Sequence, residues 1–152
     1  MFQDVYDAGT WRHNYDKYDR SLPGSGSGST LNSTAKVRRS IQEAVVKYGI
    51  KRFIDAPCGD LTWMRTLFPF FDEHGVEYTG VDIVPGEIER LREEFPTRKF
   101  LTMDMVLDVL PRADVIFSRE ALQHMNAEDN MRVLNNWKAS GSTVSNFGKQ
   151  ES

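Results

Sequence analysis

The most constraining feature of this sequence is an apolar run that stops at an acid and a tight turn, Lys51-Arg-Phe-Ile-Asp-Ala-Pro-Cys-Gly-Asp60. The run predicts a short buried strand ending at Asp55. Gly59 lies in the turn, where a residue without a side chain lets the backbone approach a ligand closely. A helix is predicted over about 60–68, with Asp60 as its N-cap. A strand, a glycine turn and a helix in this order favour a ligand site above the turn.

A second acid stands at the end of the next predicted strand. Thr79-Gly-Val-Asp-Ile83 closes a strand over about 76–83, and Asp82 is at its tip. A carboxylate about 20 residues past a glycine turn is placed to accept hydrogen bonds from a ribose diol. Each signal is weak alone, and the two together predict a nucleoside site.

Strand and helix patterns alternate along the rest of the chain. The strands are predicted over about 52–56, 76–83, 99–105 and 113–118, and the helices over about 34–48, 60–68, 85–95 and 127–139. This alternation predicts an α/β domain with a doubly wound, mostly parallel sheet and helices on both faces. Ligands of such sheets bind beyond the carboxyl ends of the strands. The residues at those ends are Asp55 to Gly59, Asp82, Asp104, and Ser118 to Glu120.

Apolar spacing predicts which helix faces are buried. On the first helix the inward positions are predicted to be Val37, Ile41, Ala44, Val45 and Tyr48, with Gly49 as the stop. The helix that opens at Pro85 should bury Ile88, Leu91 and Phe95. On the last helix, Met131, Leu134 and Trp137 or Lys138 are predicted to face inward.

Length and composition bound the class of protein. A chain of 152 residues predicts one domain, and the net charge of −3 without a dense basic run gives nucleic-acid binding no electrostatic support. The single Cys58 excludes an intrachain disulfide and suits a reducing compartment, so a cytoplasmic location is predicted. With three scattered histidines no metal-ligand spacing exists. We expect neither a metal nor a membrane partner.

The first 30 residues are predicted to form a separate segment, followed by the domain at 31–152. Residues 1–20 are polar and aromatic, and either a lid across the domain or a partly disordered end fits them. The Gly/Ser run at 23–30 can be a linker or an anion cradle. It is not a P-loop, because the Gly-Lys-Ser/Thr ending is missing.

These segments together resemble class I S-adenosylmethionine-dependent methyltransferases from about residue 24 to 141. In the first motif of that family, Asp-x-Gly-Cys-Gly-x-Gly, Pro57 and Asp60 replace glycines. A branch of methyltransferase-like proteins is similar in just this way. Its segments are matched here by Gly26 to Thr30, Asp55 to Asp60, Gly80 to Ile83, and Arg119 with His124.

The resemblance implies roles for individual residues around S-adenosylmethionine. The turn around Gly59, with Asp55, Pro57 and Cys58, would pass the methionine part of the cofactor. Asp82 would hold the ribose hydroxyls, and Ile83 would pack on adenine. The remaining cofactor positions are Asp104 and Met105 at adenine, Ser118 near the sulfonium, and Arg38 at the carboxylate.

Catalytic residues are less constrained, because methyl transfer depends mainly on aligning the nucleophile with the departing sulfur. His124 or Glu120 could act as a base if the acceptor carries a proton, and Arg119 could orient an anionic acceptor. For His124 a surface or hydrogen-bonded core position is the preferred interpretation. Asp104 is compatible with a turn role, and Asp55 with holding the turn. Cys58 is interpreted as a small buried residue rather than a nucleophile.

The end of the sequence departs from the family. After the last predicted helix, Val144 and Phe147 are the only large apolar residues before the chain stops. We therefore expect a truncated methyltransferase that lacks the last strands, with the edge formed by Val115 to Phe117 left open.

Three functions stay open from the sequence. The first is methyl transfer to an unidentified small-molecule or protein acceptor. The second is a non-catalytic binding or regulatory protein with the same fold. The third is an NAD-dependent oxidoreductase, against which stands the single glycine at 55–60 where Gly-x-Gly-x-x-Gly would be needed.

Overall fold

A computed structural model describes residues 30–119 and 121–145. The predicted N-terminal arm, Glu120 and Phe147 lie outside the described residues. The helices are α1 (Ala35–Tyr48), α2 (Phe68–Glu73), α3 (Pro85–Glu94) and α4 (Ala127–Ala139), with 3₁₀ helices at Met64–Leu67 and Leu122–His124. The strands are β1 (Arg52–Asp55), β2 (Glu77–Asp82), β3 (Lys99–Thr102), β4 (Val115–Phe117) and β5 (Thr143–Ser145).

The five strands form one sheet in the order β3-β2-β1-β4-β5, and every neighbouring pair is parallel. All carboxyl ends therefore meet at one edge, with β1 in the centre. The chain moves outward from β1 to β3 and then returns to place β4 on the other side of β1, which creates the switch point typical of ligand sites. The predicted α/β fold with a doubly wound parallel sheet is confirmed.

The edge of β4 is covered, and the expectation of an open edge is wrong. Residues 143–145 pair with Val115, Ile116 and Phe117 in parallel register. Strand pairing uses backbone N–H and C=O groups, so a short segment with little apolar character can still extend a sheet. Truncation of the chain stays a prediction, as does the division into residues 1–30 and 31–152.

The two faces of the sheet carry separate cores because side chains alternate along each strand. Phe53, Tyr78 and Phe117 point to the face covered by α1, α2 and α3, whereas Ile54 and Ile116 point to the other face. The ring of Phe53 lies 6.1 Å from Tyr78 and 5.9 Å from Phe117, so aromatic packing joins the three central strands.

Two predicted helix faces need correction. On α1, Tyr48 is 69% exposed, although Val37, Ile41 and Val45 are buried and Gly49 ends the helix at φ 61° as predicted. On α4, Trp137 is buried as predicted, but Met131 and Leu134 are exposed and Val133 is buried in their place. The amide of Asn136 donates to the carbonyl oxygens of Met105 and Val106, which fixes the rotation of α4 about its axis.

The helix predicted over 60–68 begins later and continues further. The Asp60 carboxylate accepts hydrogen bonds from the backbone N–H and the hydroxyl of Thr62 at 3.0 and 2.7 Å, so Asp60 forms a local turn instead of capping a helix. The 3₁₀ helix starts at Met64 and runs into α2. Pro69 lies in the first turn of α2, where its missing N–H costs no hydrogen bond.

Candidate functional site

The turn after β1 is held over the ends of the two neighbouring strands. The Ala56 N–H donates to the Phe117 carbonyl at 3.0 Å, and the Cys58 N–H donates to the Val81 carbonyl at 2.9 Å. The Ala56–Pro57 peptide bond is cis, and Gly59 has φ 61°, a conformation that favours glycine. The turn is therefore part of the sheet's carboxyl edge and not a loose loop.

Asp82 connects the tip of β2 to this turn. One carboxylate oxygen accepts from the Gly59 N–H at 3.0 Å and the other from the Val84 N–H at 3.2 Å. Asp82 is only 4% exposed, and burial raises its pKa while these backbone donors lower it. Each oxygen can accept more than one hydrogen bond, so these contacts leave capacity for ribose hydroxyls. The ribose role of Asp82 stays a prediction, now with a structural role beside it.

Asp55 lies beneath the turn and is also 4% exposed. Its Oδ2 accepts a hydrogen bond of 2.7 Å from the Tyr78 hydroxyl. The Oδ1 of the same carboxyl group can accept about two hydrogen bonds of its own. Burial raises the Asp55 pKa from 3.8 to about 7, the Tyr78 hydrogen bond opposes that shift, and the charge of Asp82 adds to it. The site thus contains a carboxyl group that titrates near neutral pH.

Tyr78 is a site residue that sequence reasoning missed. It is 2% exposed and pairs in register with Phe53, two residues before Asp55. Tyr78, Gly80 and Asp82 share one face of β2 with alternating spacing. The signal was therefore present in the sequence, but it needs the register between β1 and β2 to become visible.

Gly80 and Cys58 form the contact between β2 and the turn. A Cβ atom on Gly80 would lie 3.2 Å from the Cys58 sulfur and 2.8 Å from the ring of Phe100, so this position admits no side chain without a shift. Cys58 is half-buried, and burial together with the charges of Asp82 and Asp55 raises its thiol pKa well above 9.0. A thiol that stays protonated is a poor nucleophile, in agreement with the structural interpretation of Cys58.

The segment after β3 joins the same edge through Asp82, whose carbonyl oxygen accepts from the Met103 N–H at 3.0 Å. The predicted adenine residue Asp104 forms a turn: its carboxylate accepts from the Val106 N–H at 2.8 Å, and its own N–H donates to Asp108. Met105 is 8% exposed and packs in the second core. Asp104 therefore has the turn role that the sequence left open, and the adenine role stays a prediction.

The other predicted residues differ in how they relate to this edge. Ile83 is half-buried beside Asp82, and Ser118 is 3% exposed at the tip of β4. Arg119 follows it half-buried, and His124 is exposed at the end of the second 3₁₀ helix. Their catalytic roles stay predictions, and Glu120 lies outside the described residues.

Arg38 is engaged at the start of α1. Its guanidinium donates to the Leu31 carbonyl at 2.6 Å and to the Thr34 hydroxyl at 3.3 Å. These bonds anchor the turn at residues 30–34, directly after the Gly/Ser run. A carboxylate-binding role of Arg38 stays a prediction.

Two further observations limit the chemistry of the described residues. Over 30–119 and 121–145, no group of three His, Cys, Asp or Glu side chains could hold a metal ion. None of the described helices is both long and apolar enough to cross a membrane.

Comparison with known proteins places the chain. The family profile described as "Methyltransferase domain" matches residues 54–140, more than half of the chain. No curated protein sequence gives a significant match.

Solved structures share the fold at low sequence identity. The sugar N-methyltransferase KedS8 from Streptoalloteichus sp. is similar at 17% identity and a TM-score of 0.58, over 82% of this chain and 51% of that one. DesVI from Streptomyces venezuelae is similar at 15% identity and a TM-score of 0.58, over 97% of this chain and 57% of that one. The plantazolicin methyltransferase BpumL, solved in complex with SAH, is similar at 12% identity and a TM-score of 0.63, over 94% of this chain and 52% of that one. This chain thus spans about half the length of these structures.

The profile match covers the end of β1, the turn, β2 and the segments that carry the strand-tip acids. The resemblance to class I S-adenosylmethionine-dependent methyltransferases, predicted from the same residues, is confirmed at the level of the family. The chain belongs to the methyltransferase domain family.

Proposed function

We propose that this chain binds S-adenosylmethionine at the carboxyl edge of its sheet and supports transfer of the methyl group to a small-molecule or protein acceptor. The observation that carries the proposal is the pair of buried carboxyl groups, Asp55 and Asp82, fixed under a glycine turn at the switch point of the sheet. Buried acids are costly unless a partner compensates them. S-adenosylmethionine brings an ammonium and a sulfonium, so its charge complements this pair.

Residues at the carboxyl edge of the sheet contact different parts of the cofactor. Asp82 accepts hydrogen bonds from the ribose hydroxyls, and the backbone around Gly59 lies along the methionine part. Ile83 covers one face of adenine, with Asp104 and Met105 at its rim, and Ser118 lies on the side of the reacting centre. Binding of SAH by BpumL, which has a similar fold, supports an adenosyl ligand.

Catalysis in this proposal is chiefly a matter of positioning. The cofactor supplies a methyl group on a positively charged sulfur, which is electrophilic without further activation. The protein contributes by holding the acceptor in line with that sulfur, which can supply roughly 7–11 kcal/mol of the barrier reduction. His124 or Glu120 removes a proton where the acceptor carries one, and Arg119 orients an acidic acceptor.

A calorimetric titration tests the cofactor assignment. The full chain is titrated with S-adenosylmethionine, SAH and NAD, and the series is repeated on Asp82→Ala. Binding of both adenosyl ligands, its loss in Asp82→Ala and no heat with NAD are expected. Asp72→Ala is the matched control. Asp72 is a surface acid of α2 that pairs with Arg98 and has no role in the proposed site. Absence of adenosyl binding by a folded sample would refute the proposal.

Transfer is tested separately, by following SAH formation with panels of amines, alcohols and acidic acceptors. Formation of SAH with one panel would identify the acceptor class. Binding without transfer to any of them would favour the alternative, a non-catalytic binding protein with the methyltransferase fold.

A further inference from the structure

A buried tyrosine hydroxyl below the turn contacts one half of the Asp55 carboxyl group. The hydroxyl of Tyr78 donates to Asp55 Oδ2 at 2.7 Å, and both side chains are at least 96% buried, since Asp55 is 4% and Tyr78 is 2% exposed. This hydrogen bond uses Oδ2, and each carboxylate oxygen can accept about two hydrogen bonds, so Oδ1 can accept a hydrogen bond from a ligand. The remaining acceptor capacity of this carboxyl group is therefore available to a bound ligand.

The position of Tyr78 is fixed independently of Asp55. Its ring stacks on Phe53 at 6.1 Å and on Phe71 at 6.0 Å, and it contacts Phe68 at 5.0 Å. Aromatic contacts on several sides allow the ring little freedom, so the hydroxyl is a preorganised donor. Tyr78 therefore constrains the carboxyl group of Asp55 from the side of the core.

We propose that Tyr78 is a positioning residue for the positively charged end of the cofactor, because its hydroxyl occupies one oxygen of Asp55 and leaves the other for the ligand. The inference rests on the proposed function. It assigns a role to a residue in the interior of β2 that does not itself touch the cofactor.

The groups around Asp55 make the effect of the Tyr78 hydrogen bond on cofactor binding depend on pH. Asp82 raises the pKa of Asp55 from β2, and the thiol of Cys58 faces it from the turn. Glu87 of α3 acts in the same direction on Asp82 and Cys58. Burial and the charge of Asp82 favour the protonated form of Asp55, whereas the Tyr78 hydrogen bond favours its carboxylate. Only the carboxylate attracts a cation, so the hydrogen bond supports cofactor binding near neutral pH.

The test is the pH dependence of S-adenosylmethionine binding in wild type and Tyr78→Phe. The affinity of the wild type relative to that of Asp55→Asn should rise with pH and level off above the Asp55 pKa of about 7. Removing the hydroxyl should move this midpoint upward by about one pH unit, which lowers affinity about fivefold at pH 7 and leaves it nearly unchanged at pH 9. The titration of the ligand cancels in the ratio of the two affinities, because both proteins bind the same ligand.

The matched control is Tyr48→Phe, which removes the hydroxyl of a tyrosine that is 69% exposed on α1 and should change nothing. An affinity loss in Tyr78→Phe that is the same at every pH would show a structural role and overturn the proposal. No difference from wild type would overturn it as well. Failure of the wild type to bind at any pH would instead refute the proposed function.

A second variant keeps the proposal testable if Tyr78→Phe does not fold. Asp55→Asn cannot ionise, so its binding should lose the rise with pH, and the double variant should show no further shift. Retention of the wild-type pH dependence in Asp55→Asn would overturn the proposal. An equal shift for SAH, which keeps the ammonium but lacks the sulfonium, would assign the contact to the ammonium. A shift confined to S-adenosylmethionine would assign it to the sulfonium.

Discussion

The neutral-pH titration of Asp55 makes a quantitative prediction about the stability of the ligand-free protein. Its pKa rises from 3.8 to about 7 on folding, mainly because of burial. The folded state therefore keeps its proton over a range where the unfolded chain has lost it. The contribution of Asp55 to the free energy of unfolding is therefore fully present below about pH 4, where the carboxyl group is protonated in both states. It is lost progressively as the pH rises to about 7.

Substitution by asparagine should remove this dependence. About three pH units at about 1.4 kcal/mol each give a contribution of about 4 kcal/mol as an upper value. Between about pH 4.5 and about pH 8, the stability of Asp55→Asn relative to wild type should thus increase by about 3 kcal/mol. The amide oxygen can still accept the Tyr78 hydrogen bond, so the local structure is retained.

Urea unfolding at the two pH values measures this difference through the extrapolated free energy of unfolding. The lowered pKa values of Asp72 and Asp114 act in the opposite direction, but both proteins contain these groups and their contributions cancel. An identical pH dependence for the two proteins would show that Asp55 has the same pKa in the folded and unfolded states, and would refute the reasoning.

Two further substitutions test the packing around the site. Gly80→Ala places a methyl group 2.8 Å from the ring of Phe100, so a loss of about 1–3 kcal/mol is expected in urea unfolding. Gly86→Ala, with nothing within 4 Å, is its control and should change stability little; equal effects of both would contradict the steric argument. Asp114→Ala removes an acceptor of two backbone N–H groups at the start of β1 and should cost about 1 kcal/mol at neutral pH, discounted for exposure. Because the folded pKa of Asp114 is lowered, this cost should fade as the pH drops below about 4, and a cost that persists there would contradict it.

Much of the fold could be predicted because its signals are local. A parallel strand buried on both faces is an apolar run, and β1 and β4 show such runs next to turn residues. Gly49 and Pro85 set the limits of α1 and α3 through their backbone conformations. The alternation of strands and helices then fixes the parallel sheet, since few topologies obey the handedness of the connections.

The errors occurred where one residue has two local options or where packing decides. Asp60 suits both a helix N-cap and a turn with Thr62, and the two cannot be distinguished without the backbone conformation of Leu61 at φ 61°. The buried face of α4 depends on contacts of Asn136 with a segment about 30 residues away. Helical spacing fits Val133 with Trp137 and also Leu134 with Trp137, so periodicity alone does not select the buried face.

The site was predicted in part for the same reason. Asp55, Gly59 and Asp82 were identified because they end predicted strands, and the structure brings them into one cluster. Tyr78 and Gly80 were missed because their importance depends on the register of β2 against β1. The cofactor and catalytic roles of individual residues, the acceptor and the cytoplasmic location stay predictions.

Hydrogen–deuterium exchange with and without saturating SAH tests the central claim most directly, because it reports where on the chain an adenosyl ligand binds. The account predicts slower exchange at the carboxyl edge, in the turn at 55–60 and at 82–84, with a smaller effect at 103–106. The opposite edge, at 49–52 and 74–77, should exchange at the same rate in both states. Protection confined to the opposite edge, or none with the ligand bound, would contradict the placement of the cofactor at the strand tips.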